Sequence, residues 1–372
     1  MKENRQIVKM WRSGAASVLV TLVKAEGSSY RRPGARLMVG DQNDYTGTIS
    51  GGCLEAEVQR KAAWLVRRGA TVEQYSTVFD DTMEIPFGLG CGGVVDLLLE
   101  PANTSEFTAL MSALDNSLSG EESTVLTWLP KNGSEFARAI LTSKGDFVFA
   151  SERLTEQALT HVRACVLYGL QPLPEEVFVE RLTPPQRLFI LGAGNDAKPL
   201  VSMAALLGWS VHVLDGRAQL AIPERFPDAE LVGVADATAL SRHEIKRDDA
   251  IVLMTHSYEQ DREFLATVLP LRPKYLGLLG ARHRTSLLIT EVSRKLGWSI
   301  EECCEHVHAP IGLNLGGDGP EAIALAIIAE VQAACMGRLA ESRGLSAQDV
   351  DNYVREGNNS RYTPTRCALD IS

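Results

Sequence analysis

The sequence predicts an α/β protein of two domains, in which an α+β domain precedes a Rossmann-like domain with a doubly wound parallel sheet. Strand-like and turn-like stretches alternate over the first hundred residues, and one helical stretch interrupts them. From residue 186 onward, apolar strands alternate with helices, an order that is typical of a parallel sheet. At 372 residues, the chain is also longer than one that usually forms a single core.

The first domain is assigned to residues 1–183. One amphipathic helix begins at Leu54 and ends at Gly69, a residue type that commonly terminates helices. Residues 107–180 add a second helix and several β-rich stretches whose strand order the sequence leaves open. Five other stretches of the first hundred residues have strand-like composition: 17–23, 35–39, 45–50, 71–77 and 94–100.

The second domain is assigned to residues 186–337, because two consecutive prolines break regular structure just before an apolar strand. A helix is predicted over 196–207, and another over 320–337 with Pro320 in its first turn. Residues 338–372 form a polar tail. The strands of this domain are predicted at 188–191, 210–215, 229–235, 250–255 and 275–280.

The composition excludes several classes of protein. A net charge of −10 and a pI near 5.3 argue against a partner such as nucleic acid, which requires a basic face. The sequence has neither a signal-peptide pattern nor an apolar run long enough to cross a membrane, so a cytoplasmic protein is expected. Seven cysteines without a C-x-x-C pair fit neither a disulfide framework nor a zinc ribbon.

A glycine-rich turn follows the first strand of the second domain. Gly192, Gly194 and Ala197 form a G-x-G-x-x-A pattern that ends a strand and opens a helix, as in dinucleotide-binding folds. Asp215 closes the next strand, where an acidic side chain meets the ribose hydroxyls of such a ligand. The alternative is a tight turn whose site is empty or altered.

Two further loops fall at carboxyl ends of predicted strands, where ligands of open α/β sheets bind. One loop carries His256, which is able to orient a ligand or titrate near neutral pH, and the other carries Arg282. The alternative is a helix-capping histidine and a solvated arginine. A third loop, residues 308–321, either cradles an anion or simply turns the chain.

Two cysteines lie among glycines in the first domain. Cys53 follows Gly51 and Gly52 at the predicted start of a helix, where the helix dipole favours a reactive thiolate. Cys91 lies in a second glycine cluster, and two convergent thiolates suit a soft metal or a sulfur-bearing cofactor. Glycines leave room for a bulky group against the backbone. The alternative is that both cysteines are small buried hydrophobes.

Two neighbouring arginines, Arg31 and Arg32, precede a strand of the same domain. Paired guanidinium groups bind phosphate well through charge-assisted hydrogen bonds, so these side chains are candidates to clamp the phosphate of a cofactor. The alternative is that they are ordinary exposed charges.

These motifs, taken in order, resemble the successive blocks of the XdhC/CoxI family, the accessory proteins of xanthine dehydrogenase and related molybdenum hydroxylases. The blocks with this resemblance include GSSYRRPGARLMV, GTISGGCLEAEV, GLGCGGVVDLLLEP, LFILGAGNDAKPL, MTHSYEQD and YLGLLGARHR.

The resemblance implies a chaperone that binds the molybdenum cofactor (molybdopterin or its dinucleotide form), supports its sulfuration with a cysteine desulfurase, and inserts it into a xanthine dehydrogenase-type molybdenum hydroxylase. It implies Cys53 and Cys91 as metal contacts, the Gly192 turn and Asp215 as contacts for the pterin phosphate or nucleotide, and a homodimer. Such a protein is a binding protein rather than an enzyme. The alternatives are an NAD(P)-dependent oxidoreductase with His256 as acid or base, and a sulfur-transfer enzyme acting through Cys53.

Overall fold

The computed structural model describes residues 2–338, except 28, 43, 53, 77–92, 131–135, 170–171 and 175, and also residue 348. The chain forms two compact units, of which the first begins at Lys2 and the second at Pro185. Within the described residues, no helix is long and apolar enough to span a membrane.

The first half of the first unit is built around an antiparallel sheet. Its elements are α1 (Lys2–Arg12), β1 (Ala16–Glu26), β2 (Arg36–Gly40), β3 (Tyr45–Gly47), α2 (Glu55–Leu65), β4 (Thr71–Ser76) and β5 (Val94–Pro101). The strand order is β3-β2-β1-β5-β4. Helix α2 packs on this sheet because Val58 and Ala62 share one face and are fully buried. The α-helix ends at Leu65 and continues as a short 3-10 helix over Val66–Arg68, which ends at the predicted stop, Gly69, with φ +112°.

The second half of this unit is a second antiparallel sheet with two helices, where the sequence predicted one helix. The elements are α3 (Ser105–Leu118), β6 (Ser123–Trp128), β7 (Ala137–Thr142), β8 (Phe147–Ala150), α4 (Glu156–Tyr168) and β9 (Val177–Leu182). The strand order is β8-β7-β6-β9. Helix α3 is capped by Thr104, whose hydroxyl accepts the amide of Phe107.

Two buried ion pairs connect the two sheets. Arg36 of β2 reaches Glu180 of β9, with one hydrogen bond of 2.9 Å and a second, shorter one. Arg138 of β7 binds both oxygens of Glu100 of β5 at 2.8 and 3.0 Å. Both arginines are almost fully buried, so each depends on its carboxylate for compensation of charge.

The second unit confirms the predicted doubly wound sheet. Its elements are β10 (Arg187–Leu191), α5 (Ala197–Leu206), β11 (Ser210–Asp215), β12 (Leu231–Val234), β13 (Ala250–Leu253), α6 (Tyr258–Val268), β14 (Tyr275–Leu278), α7 (Arg282–Leu296), α8 (Ile300–His306) and α9 (Pro320–Cys335). These strands are parallel, in the order β12-β11-β10-β13-β14. Helices α5 and α9 cover one face of the sheet, while α6 and α7 cover the other.

Candidate functional site

The loop between β3 and α2 is folded around the carboxylate of Glu55, the first residue of α2. Glu55 is only 2% exposed, and residues 48–52 all direct hydrogen-bond donors to it. Six donors therefore converge on one carboxylate. They are the Thr48 hydroxyl (2.5 Å), the amides of Ile49 (2.9 Å), Ser50 (2.9 Å), Gly51 (3.3 Å) and Gly52 (2.9 Å), and the Ser50 hydroxyl (2.5 Å).

These hydrogen bonds keep Glu55 charged. Burial by itself raises its pKa, but the hydrogen bonds from Ser50 and Thr48 outweigh burial and lower the pKa to about 2. Backbone amides that face the carboxylate are not free to bind a phosphate. The anion bound by the amides of this loop is therefore the Glu55 carboxylate of the protein itself.

The glycines of this loop have different surroundings. Gly51 and Gly52 have φ values of +99° and +116°, which favour glycine. A Cβ at Gly51 would stand 2.9 Å from the ring of Tyr30, so this space is occupied by the protein itself. A Cβ at Gly52 would meet no atom of the described residues within 4 Å. Only Gly52 offers the open space that the sequence pattern predicted for both.

The two arginines predicted to bind a phosphate, Arg31 and Arg32, differ in whether their charge is already paired with a carboxylate. Arg31 forms an ion pair with Glu3 of α1, so its charge is already compensated. Arg32 is exposed, and its side chain has no ion-pair partner among the residues described. Arg32 is therefore the more available cation for an anionic ligand.

Cys53 and Cys91 lie outside the described residues, but residues close to each of them in sequence are described. Val94, three positions after Cys91, pairs with Glu26 at the end of β1. Four positions further along the chain, Tyr30 contacts Gly51, two positions before Cys53. In the part of the chain that is described, no cluster of three His, Cys, Asp or Glu side chains is arranged to hold a metal ion.

In the second unit, the predicted glycine turn follows β10 directly. Gly192 has φ +133°, and a Cβ there would lie 2.3 Å from the carbonyl oxygen of Met254. Glycine is therefore required because the backbone of the neighbouring strand approaches closely. At Gly194, a Cβ would lie 2.3 Å from the flexible side chain of Asp196 and 3.7 Å from the ring of His256.

Asp215 lies beneath this turn and is fully buried. Its carboxylate accepts the amide of Ala193 at 2.7 Å and three N–H groups of Arg217 at 2.8–2.9 Å. Burial raises the pKa of Asp215, and the bonds from Arg217 and Ala193 outweigh it and hold the pKa below its usual range. A ribose diol would have to displace Arg217 to reach this carboxylate.

A hydrogen bond and an ion pair join the two predicted strand-end loops to their neighbours. His256 follows β13 with the unusual φ of +62°, and its Nε2 lies 2.8 Å from Asp196, at the start of α5. Asp261 is buried, accepts the Thr255 hydroxyl at 2.7 Å, and pairs with Arg284 of α7, also at 2.7 Å. These pairs hold the turns after β10, β13 and β14 at one edge of the sheet.

Arg282, the remaining predicted ligand, is the first residue of α7 and is exposed. Within the described residues, no carboxylate forms an ion pair with it. Its guanidinium is therefore free to bind an anion at the carboxyl edge of the sheet, where Arg217 is also partly exposed.

The third predicted loop is fixed by a carboxylate that the sequence did not single out. Glu330 of α9 accepts the hydroxyl of buried Tyr275 at 2.5 Å and the amide of Gly312 at 2.8 Å. The ring of His308 stacks on Tyr275, with centroids 4.5 Å apart, and its Nδ1 lies 3.4 Å from Glu330. This part of the loop packs on β14, so it turns the chain.

Two family models match the chain in the order of the two units. Residues 10–76 match the model of the XdhC and CoxI family, and residues 188–331 match the model of the XdhC Rossmann domain. The chain belongs to the XdhC/CoxI family. The first match contains the Glu55 loop, and the second contains every strand-end loop of the parallel sheet.

Relatives of this XdhC/CoxI protein match along nearly its whole length. A Bacillus subtilis protein described as a probable xanthine dehydrogenase subunit is 29% identical over 85% of this chain and 92% of its own. The molybdenum cofactor insertion chaperone PaoD of Escherichia coli is 28% identical over 88% of this chain and 86% of its own. A crystal structure described as a xanthine dehydrogenase from Bacillus halodurans is 26% identical, with a TM-score of 0.78 over 94% of this chain and 99% of that one.

Proposed function

We propose that this protein is an accessory chaperone that binds the molybdenum cofactor and inserts it into a xanthine dehydrogenase-type molybdenum hydroxylase. The observation that carries the proposal is the match to PaoD, a molybdenum cofactor insertion chaperone, over 88% of the chain and across both units. The Bacillus subtilis relative, whose description names xanthine dehydrogenase, supports the proposed class of client.

The cofactor is the cargo, and the proposed contacts with its metal are Cys53 and Cys91. Thiolates are soft ligands that suit a molybdenum centre better than a hard cation site. Val94 pairs with Glu26, the last residue of β1, and Gly51 contacts Tyr30 in the segment that follows β1, which supports a shared site. Gly52 provides open space beside the backbone for the pterin. Arg32 is the proposed partner for its phosphate.

A second group of proposed contacts lies in the second unit and consists of Gly192, Gly194, Asp215, His256 and Arg282. Because Asp215 is already paired with Arg217, its carboxylate is not free to accept a ribose diol, and exposed Arg282 is the proposed partner for an anionic group such as a phosphate. This supports a phosphate of the cofactor, or of its dinucleotide form, and gives less support to an NAD(P)-dependent oxidoreductase.

The finer features of the proposal concern partners. A cysteine desulfurase supplies the sulfur for sulfuration, the chaperone acts as a homodimer in the cytoplasm, and the molybdenum hydroxylase receives the finished cofactor. The chaperone itself needs no turnover, since protection and transfer of a bound group require binding sites only.

The test is the molybdenum and pterin content of protein purified without oxygen from cells that make the cofactor. Wild type is compared with Cys53→Ala and Asp215→Ala, and with Cys304→Ala as the control, because Cys304 is an exposed cysteine of α8. Roughly one cofactor per chain in wild type and the control, lost in Cys53→Ala, is the expected result. Absence of molybdenum throughout, with a nicotinamide dinucleotide bound in an Asp215-dependent way, would overturn the proposal.

A further inference from the structure

A Rossmann-like sheet receives a dinucleotide at two subsites, and in the second unit the protein's own side chains occupy both. The first subsite is the acidic side chain at the end of the second strand, which accepts the ribose diol. The second is the glycine turn after the first strand, where the diphosphate lies on the amides at the start of the helix. In this chain these subsites are Asp215 at the end of β11 and residues 192–196 between β10 and α5.

Arg217 occupies the ribose subsite. Its Nε and Nη2 lie 2.9 and 2.8 Å from the two oxygens of the Asp215 carboxylate, so the contact is bidentate. Its Nη2 also donates to the carbonyl oxygen of Thr255 at 3.2 Å, which connects the side chain to the turn after β13. Both oxygens of Asp215 are therefore bonded within the protein, and a ribose diol has to break a charge-assisted hydrogen bond in order to bind.

Asp196 and His256 occupy the diphosphate subsite. Asp196 is the residue immediately before α5, and its side chain does not cap that helix. A Cβ at Gly194 would lie 2.3 Å from Asp196 Oδ1 and 3.7 Å from the ring of His256, so both side chains lie against the glycine turn. His256 Nε2 is 2.8 Å from Asp196 Oδ2, which joins the turns after β10 and β13. A diphosphate at this turn would meet a carboxylate, and like charges repel each other.

We propose that Arg217 and Asp196 are specificity-determining residues that exclude a dinucleotide from the second unit. The carboxyl edge of the sheet then accepts an anionic group without an attached nucleotide, for which exposed Arg282 is available. For the cargo, this inference rests on the proposed function and narrows it: the cargo is the form of the molybdenum cofactor with one phosphate, not the dinucleotide form. The exclusion itself rests on the two pairs alone.

Two substitutions should open the subsites. Arg217→Ala frees the Asp215 carboxylate, and Asp196→Ser removes the negative charge from the turn while keeping a residue type that is favoured before a helix. The chain also offers a matched control. Arg247→Ala/Asp248→Ser removes the same two charges from exposed residues of the turn before β13, which lies at the opposite, amino edge of the parallel sheet.

The experiment measures binding of ADP-ribose to the full chain by isothermal titration calorimetry. This probe carries a ribose diol and a diphosphate but no nicotinamide. Wild type and the control are expected to bind it more weakly than about 1 mM. Arg217→Ala/Asp196→Ser should bind at least about tenfold more tightly than the control, because each opened subsite adds a charge-assisted contact or removes a repulsion. Saturable wild-type binding below 1 mM, or a double variant equal to the control, would overturn the proposal.

Thermal unfolding of each variant shows whether it is folded, because Arg217→Ala leaves a buried carboxylate with fewer partners. If that variant does not fold, Arg217→Gln takes its place, since glutamine donates one hydrogen bond to Asp215 and leaves the other oxygen to a ligand. The gain in affinity should be smaller but of the same sign. A folded Arg217→Gln/Asp196→Ser variant without any gain would count against the exclusion as decisively.

The molybdenum content and the nucleotide released from bound cofactor by acid are recorded for wild type, to separate this inference from the proposed function. A wild type that rejects ADP-ribose but never carries molybdenum would uphold the exclusion and count against the chaperone role. Molybdenum cofactor without a released nucleotide would uphold both. Cofactor that releases a nucleotide would uphold the chaperone role and overturn the narrower cargo.

Discussion

Replacing Glu55 by glutamine should destabilise the first unit at neutral pH by an amount that shrinks in acid. The hydrogen bonds lower the pKa of Glu55 from its usual 4.5 to about 2. This gap corresponds to about 3 kcal/mol of stability linked to its charge. Since the folded pKa is the lower one, the contribution is complete above pH 4.5 and is lost as the pH falls toward 2.

The assay is urea unfolding followed by tryptophan fluorescence at several pH values, with Glu57→Gln as the control for loss of one charge. Between pH 6 and pH 3.5 the stability difference between wild type and Glu55→Gln should shrink by about 1.4 kcal/mol, because protonated glutamate resembles glutamine. A difference that stays constant over this range would show that the carboxylate charge does not hold the loop, and would refute the reasoning.

Three further predictions concern the framework of the sites. Arg138→Met should lower the unfolding free energy of the first unit by about 3–5 kcal/mol because Glu100 is left buried and unpaired. Thermal unfolding measures this loss. The double variant Arg138→Met/Glu100→Leu should recover most of the lost stability, because no buried charge then remains unpaired. Gly192→Ala should lower the melting temperature by several degrees, because the added Cβ meets a backbone carbonyl and the backbone at φ +133° is strained by about 1–3 kcal/mol. Gly233→Ala is the control: its Cβ makes only ordinary van der Waals contacts, so the melting temperature should not fall. Tyr275→Phe should cost about 1 kcal/mol and speed hydrogen exchange at Gly312, since Glu330 loses one donor; unchanged exchange would count against its role in fixing the loop.

The parallel sheet was predictable because its signals are local. The apolar run of β10, the glycines of the following turn and Asp215 lie within one βαβ unit, so the sequence alone places them correctly. The strand order of the second sheet was not predictable, because β6 pairs with β9 across a long intervening segment. Helix α1 was missed for a related reason: it buries only Ile7 and Val8, a short apolar signal.

The sequence predicted only some of the residues that form the candidate sites. Glycines and cysteines identified the loop before α2, but Glu55 looks like an ordinary acidic residue in the first turn of a helix. Its signal was the run of small and polar residues just before it, which supply donors that need an acceptor. Asp215 closes β11, as the sequence predicted, yet its partner Arg217 two residues later determines what a ligand can reach.

The ion pair between Arg36 and Glu180 has a consequence for the protein as it is synthesised. These residues are 144 positions apart, so at 5–20 residues per second Glu180 leaves the ribosome roughly 7–30 s after Arg36. Throughout this interval, closing the sheet over Arg36 would bury a cation without its partner. The nascent first unit therefore has reason to delay its final compaction until β9 has emerged.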